Sequence, residues 1–470
     1  MDKKLVSGLR EAIRLSGLKS GMSVSFHHHL RNGDYTLNMA MDAIAEMGIR
    51  DLTLNASSLF DVHMPLAEHI KNGVVKQINC NYMSAGLGRL ISEGLMEAPV
   101  NFRTHGGRPA DIANGTTPID VAFIAAPSAD CAGNLSGKYG PSACGSLGYA
   151  FPDAMYAKKV IVITDNLVPY PLSDWSIPEI YVDYVVKVDA IGDPKGIVSG
   201  TTRITRDPVG LIMAEQAVKV IRNSGLLTDG FSFQTGAGGA SLAAARFLMD
   251  IMVKEGIRGS FASGGITGYL VDMLNAGCFD ALMDVQCFDL KAVESIRTNP
   301  RHHEISAMQY ASPFAKSAVV DRLDVVILGA TEVDTDFNVN VHTDSNGYIM
   351  GGSGGHSDTA AGAKISMIIA PLFRARLPIV TDRVKCVSTP GRDIDVLVTQ
   401  RGIAVNPNRP ELRARLLDAG LNIVDIHELK EIAERITGVP KTSASDGRPV
   451  ANVIYRDGTQ IDTIRSVKAE

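Results

Sequence analysis

Two stretches of this 470-residue chain, one beginning at Gly21 and the other at Gly230, follow one plan. The first reads "GMSVSFHHHLRNGDYTLNMAMDAIAEMGIRDLTL" and the second "GFSFQTGAGGASLAAARFLMDIMVKEGIRGSFA". Each is a short strand, a polar or glycine-rich turn, an amphipathic helix ending at Gly48 or Gly256, then "GIR" and another strand. The correspondence returns downstream: "IDVAFIAAPSADCAGNLSG" from Ile119 parallels "LDVVILGATEVD" from Leu323 and then "HTDSNGYIMGGSGG" from His342, each half reaching an Asp-x-x-Gly turn. Two matches in the same order predict an α/β fold of two tandem, internally duplicated open α/β domains. They span 1–205 and 206–440, dividing near "VSGTTRITRDPVG", and leave 441–470 as a C-terminal tail.

Apolar runs such as "KVIVITD" and "LDVVILGA" lack polar alternation, as strands covered on both faces do. Helical stretches separate them, so the sheets should be open and mainly parallel, with ligands bound beyond the carboxyl ends of the strands. That places the turn His27-His28-His29 and its counterpart "TGAGGAS" at the edge of the site. The 45 glycines exceed the usual share of about 7% and point to backbone that approaches something closely. A net charge of −5 supplies no general basic surface, so nucleic acid is not an expected partner. No apolar run reaches about 18 residues, and the opening "MDKKLVSGLREAIRLSG" is charged and helix-like, so no membrane span is predicted. The cysteines Cys80, Cys131, Cys144, Cys278, Cys287 and Cys386 are dispersed without a C-x-x-C pair, in keeping with reduced thiols in a cytoplasmic protein.

Four turns carry the candidate chemistry. In "SFHHHLRNGD" successive strand side chains point to opposite faces, so three adjacent rings do not converge on one ion, and no further ligands follow nearby; no metal is expected. Core hydrogen bonding is the alternative to a role toward transient negative charge. In "QTGAGGASLAAARFL", Gly236, Gly238 and Gly239 precede a helix whose first amides could face an anion, or could form a plain tight turn. Their G-x-G-G spacing departs from the G-x-G-x-x-G of dinucleotide sites. "NGYIMGGSGGHSDTAAGAKIS" sets Gly351, Gly352, Gly354 and Gly355 among His356, Ser357 and Asp358, which suits a narrow ligand arm or a flexible linker. "NFRTHGGRPADIANGTTP" gathers Arg103, His105 and Arg108, either for planar carboxylate recognition or as solvated loop charges. A G-x-S-x-G elbow and a protease-like cysteine context are both absent, so a serine or thiol nucleophile is not expected.

With "CAGNLSG" in the first half and "NVNVHTDSNGYIMGGSGGHSD" and "VTQRGIAVNP" in the second, the doubled unit resembles the CoA-transferase superfamily, whose fold is shared with ribose-phosphate isomerases. "SFHHHLRNGDYTLN", "NFRTHGGRPADI" and "GGSGGHSDTAAGAK" are similar to its citrate lyase alpha-chain family, over about Leu5 to Val439. The start is shorter than that family leads one to expect, which leaves room for a missing N-terminal stretch.

The resemblance implies a citrate CoA-transferase (acyl-carrier-protein transferase) that exchanges acetyl for citryl on a carrier thioester and releases acetate. The superfamily's glutamate nucleophile would stand near Ser263 and Gly264, yet no Glu occurs between Glu255 and Glu294, which fits a route without a covalent enzyme intermediate. By the same resemblance, His27, His28, His29, Arg31 and Asn32 would be catalytic. Gly236, Gly238, Gly239, Ser263, Gly264, Gly352, Ser353, Gly354, Gly355 and His356 would border the thioester arm. Arg103, His105, Arg108, Asn134 and Asp344 would meet citrate, with shaping of their turns the alternative for the last two. Implied partners are a beta lyase chain, a gamma acyl carrier chain bearing a CoA-like prosthetic group (acetyl-CoA as surrogate), and further copies of this chain. No cofactor or metal is expected on this chain itself. The competing readings are a glutamyl-CoA transferase using a residue such as Glu304, a citramalate-specific homologue, and a non-catalytic module sensing an acid or sugar phosphate.

Overall fold

The computed structural model describes residues 4–198, 203–439 and 447–467. They form a mixed α/β protein around two large sheets of ten and eight strands. The apolar runs become interior strands: every residue of Val121–Ala126, Val325–Leu328 and Ile365–Ile369 is buried, as covering both faces requires.

The centre of the first sheet runs Lys159–Thr164, Val121–Ala126, Ser23–Phe26, Leu52–Ala56, Val75–Cys80, Val100–Phe102. The second runs Ile365–Ile369, Val325–Leu328, Ser232–Thr235, Gly259–Ile266, Phe279–Cys287, His302–Glu304. All of these neighbours pair in parallel. In each half the chain builds outward from the first strand of its series and later returns to that strand's other side. Ser23–Phe26 and Ser232–Thr235 are therefore the switch points, outside whose carboxyl ends open α/β sheets bind their ligands. His27–His29 and Gly236–Gly239 follow those two ends directly.

The halves also share local fastenings. The Ser23 amide donates to Asp120 Oδ2 at 2.8 Å and its hydroxyl to the Pro118 carbonyl at 2.7 Å; Ser232 repeats both bonds to Asp324 and Arg322 at 2.8 and 2.7 Å. Asp130 accepts from the amides of Ala132, Gly133 and Asn134 and from Asn134 Nδ2, and Asp334 does the same for Asp336 and Asn338. The counterpart of the Asp130 turn is thus Asp334–Asn338, not the Asp344–Gly347 turn that the sequence suggests. The glycine was the misleading cue: Phe337, at φ 64°, takes the left-handed position that Gly133 takes at 101°.

The last segment is not a tail. Pro449–Ile454 and Gln460–Arg465 form a hairpin on the first sheet, the former parallel to Val100–Phe102. An asparagine ladder fixes its register, Asn452 donating to Asn101, Asn101 to Asn79 and Asn79 to Asn55. The boundary expected at 440/441 lies outside the described residues. Among the described residues no helix is long and apolar enough to cross a membrane, and all six cysteines are free.

Candidate active site between the two sheets

The strand ends at Phe26, and in the turn that follows His27 and His29 fall together while His28 turns to Ser57. The Nδ1 atoms of His27 and His29 lie against each other in close contact. Nε2 of His27 accepts from the Ala125 amide at 2.9 Å, and Nε2 of His29 from the Tyr149 amide at 3.2 Å. These two rings hold the turn. His28 pairs with Ser57 Oγ at 2.6 Å and packs against His105, Tyr149 and Phe60, with centroids 5.8, 4.7 and 5.9 Å away. Burial pulls His27 down to about 4 and His105 to about 3, and His28 and His29 well below the ordinary range. All four rings are neutral at pH 7 and act through hydrogen bonds rather than standing charge. Among the described residues no group of three or more His, Cys, Asp or Glu side chains is placed to hold a metal.

Arg31 supplies the charge. It sits two residues beyond the triplet with φ 52°, a left-handed conformation that costs an L-residue about 1 kcal/mol. Its guanidinium lies over Phe60 and Phe288, with Cζ 5.4 and 4.7 Å from the ring centroids. Nη1 is buried without a hydrogen-bond partner among the described residues. Desolvation lowers the guanidinium's pKa, partly opposed by nearby Tyr82 and Tyr149. A buried, unpaired cation is costly unless something anionic joins it. Asn32, next to it, is exposed.

The other arginines are already compensated. Arg103 is ion-paired with Asp111, and Arg108 with Asp153 at 2.9 Å, the latter pair almost wholly buried. His105 joins the imidazole cluster, and its amide donates to the Gly354 carbonyl at 2.7 Å. Asn134 and Asp344 are engaged in their own turns, Asp344 Oδ1 accepting from the Asn346 and Tyr348 amides.

The glycines divide into two groups. At Gly236 and Gly238 the side where a Cβ would project is uncrowded among the described residues, with Ile327 O at 3.6 Å and Ser241 Oγ at 3.8 Å the nearest atoms, whereas at Gly239 it meets Arg203 O at 3.1 Å. Helix Gly239–Glu255 begins there without a side-chain cap, so its first amides remain available to an acceptor. Gly352, Gly354 and Gly355 instead pack against the first half and Tyr310: a Cβ would lie 2.7 Å from Tyr82 Cα, 3.2 Å from His105 Nε2 and 2.7 Å from Tyr310 Oη respectively. Ser353 bonds Ser357 at 2.7 Å, and His356 is held between Thr389 Oγ1 and the Gly329 carbonyl at 2.7 and 3.0 Å. Ser263 Oγ donates to the Met283 carbonyl at 3.1 Å. Gly264, at φ 106°, has Gln234 Cδ 2.7 Å from its absent Cβ. Glu304 accepts from the Leu147 amide at 2.6 Å and Ser176 Oγ at 2.7 Å, bridging the two halves.

His28, Arg31 and His105 are therefore drawn together with Phe60, Tyr82, Tyr149 and Phe288, four aromatics that sequence reasoning missed. None lies in a recognisable motif; Phe288 follows its strand in "DVQCFD" with no spacing to mark it.

Asp358 fastens this region across the halves, accepting from Thr104 Oγ1 at 2.8 Å and the Gly106 amide at 2.9 Å. Burial raises its pKa to about 6 from 3.8. The folded state then holds this proton more tightly than the unfolded chain, so stability falls as pH rises between those values and is flat above. The loss is on the order of 3 kcal/mol. Denaturant midpoints of wild type and Asp358→Asn from pH 4 to 7 should show wild type losing stability relative to the variant across that window; parallel curves would contradict the assignment.

The comparisons with known proteins agree over almost the entire chain. The family model for the citrate lyase alpha subunit (CitF) matches residues 2–467. The citrate lyase alpha chain of Klebsiella pneumoniae is 52% identical over 99% of this chain and 92% of its own length; that of Escherichia coli K12 is 51% identical with the same coverage. The alpha subunit of citrate lyase from Streptococcus mutans, solved in complex with citrate, superposes with a TM-score of 0.98 at 51% identity, covering 100% of this chain and 92% of that one. A Pseudomonas malonate decarboxylase solved with malonate shares the fold at TM-score 0.70 and 18% identity, covering 92% and 86%. Matched in sequence and structure over almost all of its length, the chain belongs to the citrate lyase alpha-subunit family and is a transferase.

Proposed function

We propose that this chain transfers the acyl carrier thioester from acetyl to citryl, releasing acetate, without a covalent enzyme intermediate. The observation that carries the reading is Arg31: a partly buried guanidinium, its Nη1 enclosed and without a counter-ion among the described residues, beside neutral hydrogen-bonding rings, suits a substrate carboxylate. A citrate carboxylate oxygen attacks the acetyl thioester carbonyl, giving a mixed anhydride and a thiolate. The thiolate then attacks the citryl carbonyl, and acetate departs carrying the attacking oxygen. The chain contributes alignment, about 7–11 kcal/mol in favourable cases, and donors for the transient oxyanions. The open backbone at Gly236 and Gly238 suits the thioester arm. His28 and His105, neutral and beside Arg31, suit the oxyanion.

No carboxylate stands where a glutamyl nucleophile would: Ser263 is turned into the strand pairing and Gly264 has no side chain. Glu304 is engaged in holding the halves together. Incubation with acetyl-CoA and then hydroxylamine should leave no protein hydroxamate, and mapping one to Glu304 would refute the direct route.

The S. mutans relative, solved with citrate, favours citrate over citramalate as the acid. The chain is read as working in the cytoplasm with copies of itself, a lyase chain and an acyl carrier chain whose CoA-like prosthetic group brings the thioester. The common strand order, serine–aspartate fastenings and Asp130/Asp334 turns support an origin by internal duplication.

A further inference from the structure

Phe288 joins the two halves of the site. Its amide donates to the Ile266 carbonyl at 2.8 Å. The next residue, Asp289, accepts from the Ala292 amide at 2.9 Å and the Gly268 amide at 2.6 Å, so the backbone on both sides of Phe288 is fixed. The ring rests on Gly265, where a Cβ would come within 2.6 Å of Cε1. Strand pairing skips a residue here, Gly264 opposing Asp284 and Gly265 opposing Gln286, a bulge of the kind that re-aims side chains. Phe288 also meets the Arg31 guanidinium at 4.7 Å, with Phe60 at 5.4 Å. A π face attracts the cation without offering lone pairs that would occupy its N–H donors. Among the described residues no side-chain hydrogen bond fixes the plane of Arg31, so packing against these rings does so.

We infer that Phe288 is a positioning residue: seated on Gly265, it orients Arg31 so that the guanidinium edge meets a carboxylate of the tricarboxylate substrate. This rests on the reading of Arg31 as carboxylate receptor. It also makes Gly265 a specificity element, since any side chain there displaces the ring.

The test is calorimetric titration of citrate into the full-length chain, with KM for acetyl-CoA measured in parallel. Phe288→Leu removes the π face at similar bulk, Gly265→Ala keeps the ring but moves it, and Phe288→Tyr retains it. The first two should weaken citrate binding about tenfold while KM for acetyl-CoA stays within about twofold, and Phe288→Tyr should bind citrate like wild type. Unchanged citrate affinity in Phe288→Leu and Gly265→Ala, with Arg31→Ala defective, would overturn the positioning role alone. Equal losses for citrate and acetyl-CoA would show a merely structural ring and overturn it as well. If Arg31→Ala itself binds citrate normally, the receptor reading falls and the inference with it.

Discussion

Arg31→Ala should lower kcat/KM for citrate by two to three orders of magnitude and leave binding of the acetyl thioester nearly unchanged. A charge-assisted, desolvated carboxylate contact is worth about 2–5 kcal/mol when truncated, and the neighbouring Arg103 and Arg108 cannot substitute, being paired with Asp111 and Asp153. Arg31→Lys should recover little. An ammonium lacks the planar edge for a bidentate contact and stacks poorly on Phe60 and Phe288. The loss should not reflect unfolding. Wild type bears the cost of burying this cation and of a left-handed arginine at φ 52°, so Arg31→Gly, which suits that conformation, should melt at or above the wild-type temperature while remaining as inactive as the alanine variant. Steady-state kinetics and melting curves on the three variants check this; an Arg31→Ala enzyme with near-normal citrate dependence would place the receptor elsewhere.

Gly106→Ala should cost about 3 kcal/mol of stability or more. The backbone there is ordinary right-handed helix, φ −85° and ψ −36°, so alanine is not strained by conformation. The obstacle is packing. The new Cβ would overlap the carbonyl oxygen of Ala311 in the second half and sit 2.8 Å from Asp358 Oδ1. Neither the Ala311 backbone nor a carboxylate held by Thr104 and the Gly106 amide can step aside cheaply. Gly115→Ala is the control: its φ of 82° carries strain, but nothing lies within 4 Å of the added carbon. It should lose only about 1 kcal/mol. Chemical denaturation of both variants measures the contrast, and equal losses would mean that this contact between the halves carries little.

The strand, turn, amphipathic helix and strand at Gly21 and at Gly230 were legible because each lies within a short window, and both windows became switch-point units. What escaped was non-local. The hairpin of residues 449–465 joins the first sheet through Asn452, Asn101, Asn79 and Asn55, and polar residues scattered over that span give no periodic cue. The Asp334 turn was hidden because Phe337 adopts a conformation usually left to glycine. Of the candidate site, the sequence could name the polar turns but not how burial engages each of their side chains. The sequence set Arg103 and Arg108 toward citrate and Arg31 toward catalysis, and only packing shows that the first two are ion-paired whereas Arg31 has no such pair among the described residues. Phe60, Tyr82, Tyr149 and Phe288 look like ordinary core aromatics until the halves meet around Arg31.

The central claim, direct transfer between two bound acyl groups, is tested most directly by following oxygen in a single turnover. Enzyme in excess over acetyl thioester would be mixed with citrate labelled with oxygen-18 in its carboxylates, and the released acetate weighed by mass spectrometry alongside citryl thioester formation. Direct exchange predicts that acetate carries one label from citrate in this first turnover. Unlabelled acetate appearing together with citryl thioester would mean that a carboxylate of the protein took the acetyl group first, and would contradict the account.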